Sequence, residues 1–198
     1  MSVYHKEKPE YLRQAIESIQ AQTFPTDDFV LVCDGPLNPE LDAVIVAKQQ
    51  EMGDTLNVVR LAKNGGLGNA LNKGIRHCKN ELIARMDSDD IAYPDRCEKQ
   101  LAVFGANPKV SICSGVVEEF ATDPEVVDTK RVPPETNAEI VEFAKKRNPF
   151  KQELYIDNPG FRKVYLENID VPEDRREAAL ANLEEFGYEA AWDKKGRV

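Results

Sequence analysis

Carboxylates are concentrated in the segment Asp87-Ser88-Asp89-Asp90. Side chains of like charge at this spacing repel one another unless a cation binds between them or they point apart. In an extended segment Asp87 and Asp89 lie on the same side, because successive side chains alternate. Paired carboxylate oxygens suit Mg²⁺ or Mn²⁺, which also leave coordination positions open for phosphate oxygens. The spacing therefore predicts a divalent-cation site, with an exposed acidic turn ahead of a helix as the alternative.

A further carboxylate, Asp34, directly follows the apolar run 29–33 and precedes Gly35-Pro36. At the end of a buried strand it can accept hydrogen bonds from a ribose hydroxyl or a base N–H. The alternative is an ordinary turn residue, because Asp, Gly and Pro are all common in turns.

The segment 63–68, Lys-Asn-Gly-Gly-Leu-Gly, is a glycine-rich turn that opens a predicted helix. Its glycines let the backbone approach a ligand, and the N-terminus of the following helix attracts phosphate. The segment matches neither the G-x-G-x-x-G dinucleotide fingerprint nor the Walker A loop, since no G-K-[ST] follows. A phosphate-contacting turn and a tight strand-to-helix connection are both compatible with it.

Strand and helix patterns alternate at close intervals through the first part of the chain. The predicted strands are Ser2–Tyr4, Phe29–Cys33, Val58–Leu61, Glu81–Met86 and Val110–Val117. The predicted helices are Pro9–Gln22, Pro39–Met52, one from the glycine-rich turn to His77, and Asp95–Phe104. This order predicts an α/β fold with a mostly parallel central sheet and helices on both faces. Such sheets bind ligands at the carboxyl ends of their strands, where Asp34, the glycine-rich turn and the acidic segment all fall.

The composition is that of a soluble globular protein, with 198 residues, 41% hydrophobic and 31% charged. A formal net charge of -9 disfavours a nucleic-acid-binding protein, which needs a basic surface. No apolar run approaches the roughly 20 residues of a membrane span, and the N-terminal segment lacks the apolar core of a signal peptide. We therefore expect a cytoplasmic protein with no nucleic-acid partner. Its cysteines form no CxxC pair, which disfavours zinc and indicates buried, reduced thiols.

Beyond the alternating part, residues 118–135 are acidic and contain prolines, which indicates an excursion or an edge hairpin. Thr136 and Glu139 have the spacing of a capping box at the start of a helix. The remaining chain shows little periodic apolar pattern before a charged helix predicted at 173–186.

Several of these segments, in this order, resemble family 2 glycosyltransferases. The matching segments are 2–4 with the helix 9–22 and the pair Gln22-Thr23, then 32–35, 64–74, 84–91 and 94–96. The sequences of these segments are most similar to those of the bacterial exopolysaccharide and O-antigen branch, the amylovoran-type transferases. The resemblance covers residues 2–150, including the segment 146–150.

This resemblance implies a GT-A fold, the Rossmann-like sandwich of nucleotide-diphospho-sugar transferases. It implies a metal-dependent hexosyltransferase that uses Mn²⁺ or Mg²⁺ and takes a sugar, with inversion, from a nucleotide-diphosphate donor, usually UDP. The implied acceptor is a saccharide or a lipid-linked molecule of surface polysaccharide synthesis. The same resemblance implies peripheral contact between the protein and the inner face of the membrane. The expected domains are a nucleotide-sugar-binding domain at 1–150 and a divergent, incomplete acceptor-side segment at 151–198. The oligomeric state is not implied.

Carried over residue by residue, the resemblance places Tyr4 and Asp34 at the nucleoside. Asp87 lies at the ribose or diphosphate and belongs with Asp89 to the metal site. The remaining residues implied at the donor are Asn64, Gly66, Asn72, Arg85 and Ser88. The metal would neutralise negative charge that develops on the leaving diphosphate.

Three departures from the family pattern affect these expectations. Leu71 stands where many relatives carry an arginine, so positive charge near base or phosphate must come from Lys63 or Arg85. The first strand lacks the apolar residues with which it starts in relatives, which predicts a weaker sheet centre. After Phe150 the family's glycine pair is missing. Asp174 is the candidate base that takes the acceptor's proton, with a surface helix-capping carboxylate as the alternative.

Other functions are compatible with parts of the sequence. The departure from the family pattern after Phe150 is compatible with a second function, a nucleotide-sugar-binding remnant. Such a protein would bind the donor without turnover. A sugar nucleotidyltransferase would need a basic glycine-rich loop after the first strand, and the segment 5–8 contains no glycine. The nucleophile of a dehalogenase-type phosphatase normally follows the first strand, whereas Asp87 follows the fourth predicted strand.

Overall fold

The computed structural model describes residues 1–107, 109–145 and 154–156. They belong to two compact units. Of the described residues, the first unit contains 1–107, 109–113 and 154–155, and the second contains 114–145 and 156. The predicted domain boundary at residue 150 lies outside the described residues and stays a prediction.

Strands and helices alternate along the first unit, as the sequence pattern predicts. The strands of the described chain are β1 (Ser2–Val3), β2 (Phe29–Cys33), β3 (Leu56–Arg60), β4 (Leu82–Ala84), β5 (Ile112–Cys113), β6 (Val117–Glu119), β7 (Thr129–Arg131) and β8 (Leu154–Ile156). The helices are α1 (Pro9–Gln20), α2 (Pro39–Met52), α3 (Leu67–Ile75), α4 (Arg96–Ala106) and α5 (Asn137–Ala144), with a 3-10 helix at Gly53–Thr55. Within the described ranges, no helix combines the length and the apolar character needed to cross a membrane.

The central sheet is parallel where the site is built. Its first three strands lie in the order β1-β2-β3, and all pair in parallel. On its other side β1 forms a parallel bridge, from Ser2 to Asp87, with the segment that follows β4. The short strands β5 and β8 pair antiparallel with each other. The mostly parallel sheet is therefore confirmed.

Helices cover both faces of this sheet, and all five residues of β2 are therefore buried. On one face Leu31 packs in a cluster with Leu12 of α1 and Leu41 of α2. On the opposite face Val32 packs with Ala70 of α3. Neighbouring residues of a strand point to opposite faces, so one apolar run supplies both cores. The predicted α/β layering is confirmed.

One predicted strand is wrong. The pattern predicts a single strand at Val110–Val117, but β5 ends at Cys113 and β6 begins at Val117. β5 pairs with β8 whereas β6 pairs antiparallel with β7, so a continuous strand cannot satisfy both partners. The hairpin expected between 118 and 135 is confirmed by the second pairing. The capping box is also confirmed, because Thr136 and Glu139 each accept a hydrogen bond from the other's backbone N–H.

A cavity of about 550 Å³ lies between β2 and β4, toward the ends where these strands begin. Its lining is mostly apolar and includes Val30 of β2 and Ile83 of β4. β1 does not fill this space, because its pairing with β2 starts only at Val32. The α-amino group of Met1 borders the cavity and donates a hydrogen bond to the Val30 carbonyl oxygen at 3.0 Å.

We expect the stability of this chain to depend on the charge of that α-amino group. Burial lowers the pKa of the Met1 amine from 8.0 to about 6. Between these values the unfolded chain binds more protons, so the free energy of unfolding rises with pH from about 6 to about 8. A shift of roughly two units corresponds to at most about 3 kcal/mol.

Urea unfolding of the chain just below and just above this window measures the effect. The control is the same chain with an acetylated N-terminus, which has no amine to titrate and should lose the dependence. A pH slope of equal size in the acetylated chain would contradict the assignment.

Candidate functional site at the carboxyl edge of the sheet

The strand register brings three predicted site residues to one edge. Val3 of β1 pairs with Cys33 of β2, so the next residues, Tyr4 and Asp34, leave the sheet side by side. Asp87 lies beside the same end of β1 through its bridge to that strand. Burial raises the pKa of the Cys33 thiol, so at neutral pH this residue adds no charge at the edge. The charge at this edge of the sheet therefore comes from the polar groups that follow the strands.

Asp34 fastens the glycine-rich turn (residues 63–68) to the end of β2. The residue is 4% exposed, and its Oδ1 and Oδ2 accept hydrogen bonds from the backbone N–H groups of Gly65 at 2.8 Å and Gly66 at 2.9 Å. The side-chain amide of Asn64 donates to the Asp34 carbonyl oxygen at 3.2 Å. Three residues predicted at the donor, Asp34, Asn64 and Gly66, are thus joined in one hydrogen-bonded cluster.

Close backbone contact explains the glycine that follows Asp34. Gly35 has φ +87°, and a Cβ placed on it would lie 2.5 Å from the backbone nitrogen of Asn64. A side chain is therefore excluded both by backbone conformation and by space. The glycine-rich turn can reach the Asp34 carboxylate only because residue 35 is glycine.

We expect Asp34→Ala to lower the free energy of unfolding by about 2 kcal/mol. Hydrogen bonds to a charged group contribute about 1.5–3 kcal/mol each, and the exposed N–H groups of the turn can partly rebond to water. Urea unfolding measures the change. The control is Asp54→Ala, which removes an exposed carboxylate ahead of β3 and should stay within about 0.5 kcal/mol of the parent. Equal losses in both variants would contradict a specific fastening role.

The acidic turn (residues 87–90) presents its side chains unequally. Ser88 is buried, and its hydroxyl donates a hydrogen bond to Glu7 Oε2 at 2.8 Å. Asp89 is exposed and has no hydrogen-bond or ion-pair partner within the described part of the chain. Asp87 is partly exposed, and its Oδ1 accepts from Arg85 Nη2 at 2.7 Å. Ser88 therefore anchors the turn while Asp87 and Asp89 face outward.

The C-terminal end of α1 holds the chain that follows the acidic turn. The hydroxyl of Ser18 accepts a hydrogen bond from the backbone N–H of Ala92 at 3.0 Å. The side-chain amide of Gln22 donates to the Tyr93 carbonyl oxygen at 2.8 Å and accepts from the Cys97 N–H at 2.9 Å. Both polar side chains are buried, so this loop is fixed from inside the fold.

The donor set of the acidic turn fits a hard divalent cation. Asp87 and Asp89 supply carboxylate oxygens, and Mg²⁺ in proteins is commonly held by one or two carboxylates together with substrate phosphates. Within the described residues no group of three or more His, Cys, Asp or Glu side chains is placed to hold a metal ion. A cation at Asp87 and Asp89 would complete its coordination with water molecules or phosphate oxygens.

The other predicted site residues occupy different surroundings. Tyr4 is 42% exposed at the edge, with its ring edge-on to His5. Asn72 lies half-buried in α3. The buried hydroxyl of Ser88 is directed to Glu7 rather than to the open edge. Asp174 lies outside the described residues, so the candidate base stays a prediction.

Sequence reasoning did not identify the side chains that support the two turns. Glu7, Ser18 and Gln22 make hydrogen bonds to the acidic turn or to the loop after it, and none was predicted at the site. A usable signal existed for Ser18, which is a polar residue beside the apolar stripe of α1.

The cavity between β2 and β4 is not the candidate site, because its lining includes neither Asp34 nor the acidic turn.

The family model for glycosyl transferase family 2 matches residues 1–169. An uncharacterized glycosyltransferase of Haemophilus influenzae and the amylovoran biosynthesis glycosyltransferase AmsE of Erwinia amylovora are each 41% identical over 150 residues, which is 76% of this chain and 55% of each relative. The UDP-Gal:alpha-D-GlcNAc-diphosphoundecaprenol beta-1,3-galactosyltransferase of Escherichia coli is 35% identical over 150 residues, 76% of this chain and 54% of that protein. The chain spans about half the length of these curated relatives.

Solved structures show the same fold at low identity. Residues 1–349 of S. aureus TarS align with a TM-score of 0.57 at 20% identity, covering 91% of this chain and 54% of that one. The same TarS fragment in complex with UDP aligns with a TM-score of 0.54 at 21% identity, covering 78% and 46%. The Pyrobaculum calidifontis mannosyltransferase PcManGT, in complex with GDP-Man and Mn²⁺, aligns with a TM-score of 0.52 at 20% identity, covering 60% and 34%. The expected GT-A fold is thereby confirmed.

Proposed function

Because the chain belongs to glycosyl transferase family 2, we propose that it binds a nucleotide-diphosphate sugar, UDP-linked, at the carboxyl edge of its sheet. It transfers the sugar with inversion to a saccharide or lipid-linked acceptor in surface polysaccharide synthesis. The similarity to a transferase of amylovoran biosynthesis supports the choice of pathway. The UDP named for the TarS complex supports the choice of nucleotide.

The observation that carries this proposal is the meeting of Tyr4, Asp34 and Asp87 at one edge through adjacent strands. Tyr4 and the turn fastened by Asp34 offer an aromatic ring and backbone groups to a nucleoside. The acidic turn offers carboxylates to a cation. A protein with a formal net charge of -9 needs such a cation to attract a diphosphate, since the ion's charge dominates the local field.

In the proposed reaction the acceptor hydroxyl attacks the anomeric carbon as the bond to the diphosphate breaks. A carboxylate takes the hydroxyl proton, and Asp174 is the candidate for this role. The divalent cation, Mn²⁺ or Mg²⁺, would be held by Asp87 and Asp89 and would neutralise charge on the leaving diphosphate. Arg85 orients the Asp87 carboxylate through its ion pair at 2.7 Å.

A lipid-linked acceptor would place the reaction at the inner face of the membrane. The name of the Escherichia coli relative specifies a diphosphoundecaprenol-linked substrate, which supports an acceptor of this class. The second candidate function is donor binding without transfer. It is favoured by one observation: the sequence after Phe150 lacks the glycine pair of the family pattern.

Calorimetric titration of the folded chain with UDP, UDP-sugars and GDP, in Mn²⁺ and in EDTA, tests the proposal. We expect micromolar UDP binding in Mn²⁺, weaker but measurable UDP binding in EDTA, and weaker binding of GDP than of UDP. Sugar release from the donor in the same samples, with and without a saccharide acceptor, separates transfer from binding alone.

Binding with release supports the transferase, and binding without release supports the second candidate. A chain that is folded by circular dichroism and binds neither nucleotide would exclude both.

A further inference from the structure

We propose that Glu7 is a positioning residue that fixes the acidic turn in the geometry for cation binding, an inference that rests on the proposed function. Glu7 lies in the turn between β1 and α1, residues 4–8, which also carries Tyr4. It belongs to none of the motifs that indicate the site. Its role follows from its contacts.

Glu7 connects two segments that are 81 positions apart in the sequence. Its Oε2 accepts the hydrogen bond from the Ser88 hydroxyl at 2.8 Å. Its Oε1 accepts from the backbone N–H of Lys8 at 2.9 Å, and its own N–H donates to the Tyr4 carbonyl oxygen at 3.1 Å. Both carboxylate oxygens are thus engaged, so the side chain is held in one orientation.

This contact sets the orientation of the carboxylates on either side of Ser88. Ser88 is 6% exposed and directed to Glu7. With Ser88 held inside the turn, the carboxylates on either side of it reach solvent, Asp89 fully and Asp87 in part. Carboxylates exposed in this way can bind a cation that approaches from solution. Without Glu7 the buried hydroxyl loses its acceptor, and the turn gains by rearranging to find another.

The same contact links the nucleoside side of the edge to its cation side. Tyr4 and the acidic turn are both hydrogen-bonded to Glu7, one through the backbone and one through the side chain. Groups that orient metal ligands without touching the metal typically change metal affinity by about 10–100-fold when they are removed. Glu7 is therefore expected to act on metal-dependent binding rather than on the fold.

The experiment compares Glu7→Ala, Glu7→Gln and Glu10→Ala by calorimetric titration with UDP, in Mn²⁺ and in EDTA. We expect Glu7→Ala to weaken the Mn²⁺-dependent binding about tenfold and to leave binding in EDTA within about twofold. Glu7→Gln should restore most of the loss, because an amide can still hydrogen-bond the Ser88 hydroxyl. Glu10→Ala removes an equal charge from nearby α1, away from the turn, and should match the parent.

Hydrogen exchange of the peptide containing residues 86–90, without ligand, gives an independent readout. Exchange should be faster in Glu7→Ala than in Glu10→Ala. Equal Mn²⁺-dependent affinities for these two variants would overturn the proposal, as would equal losses in Mn²⁺ and in EDTA. If the folded parent does not bind UDP, the proposed function fails. Unchanged exchange in Glu7→Ala would in that case overturn the positioning role as well.

Discussion

Asp89→Asn is expected to lower sugar release from the donor by about 100-fold or more. A divalent cation contributes several kcal/mol to the stabilisation of developing charge, and each 1.36 kcal/mol is about tenfold in rate. Asp89 is exposed and without a partner in the described residues, so its carboxylate is available as a ligand. Steady-state rates at saturating donor and Mn²⁺ measure the effect.

The matched control is Asp54→Asn, which removes the same charge from the 3-10 helix ahead of β3. Because that helix precedes a parallel strand, it lies at the opposite edge of the sheet. We expect its rate to stay within about twofold of the parent. A comparable loss in both variants would attribute the effect to net charge, and an unaffected Asp89→Asn would remove Asp89 from the site.

Gly35→Ala is expected to lower the free energy of unfolding by about 3–5 kcal/mol. A residue with a side chain at φ +87° costs about 1–2 kcal/mol, and forcing a Cβ to within 2.5 Å of the Asn64 nitrogen adds about 1–3 kcal/mol. The backbone of residue 64 must move to relieve the overlap, which pulls the glycine-rich turn from Asp34. Urea unfolding measures the loss, and UDP titration should show weakened binding.

The same turn region offers a control of opposite sign. Gly68 lies in α3, and a Cβ placed there has no neighbour within 4 Å. Gly68→Ala should therefore raise the free energy of unfolding by up to about 1 kcal/mol, because alanine favours the helix and restricts the unfolded chain. If Gly35→Ala and Gly68→Ala changed stability alike, the close approach of the turn to β2 would be wrong.

Local signals were enough to predict most elements of the first unit. β2 is found with the predicted bounds because its apolar run ends sharply at Asp34. α2 is also found as predicted, since Asn38 and Pro39 begin it and Gly53 ends it. Even the edge that carries the site follows from the sequence, because parallel strands all end on the same side.

Contacts across the chain are what local patterns could not predict. The hydrogen bond between Glu7 and Ser88, and the fastening of Gly65 by Asp34 from 31 positions away, depend on which segments the sheet brings together. The strand error at Val110–Val117 has the same origin. An apolar run predicts an extended segment, but its partners decide where it is divided.

The cavity between β2 and β4 has a consequence for the volume of the folded chain. Its space of about 550 Å³ is bordered mainly by apolar side chains and is partly open to solvent, so only the part that water does not fill is lost as void on unfolding. The unfolded chain should therefore occupy less volume, within the roughly 20–100 mL/mol decrease that proteins show. Hydrostatic pressure should therefore favour the unfolded chain, and we expect water to enter first between β2 and β4.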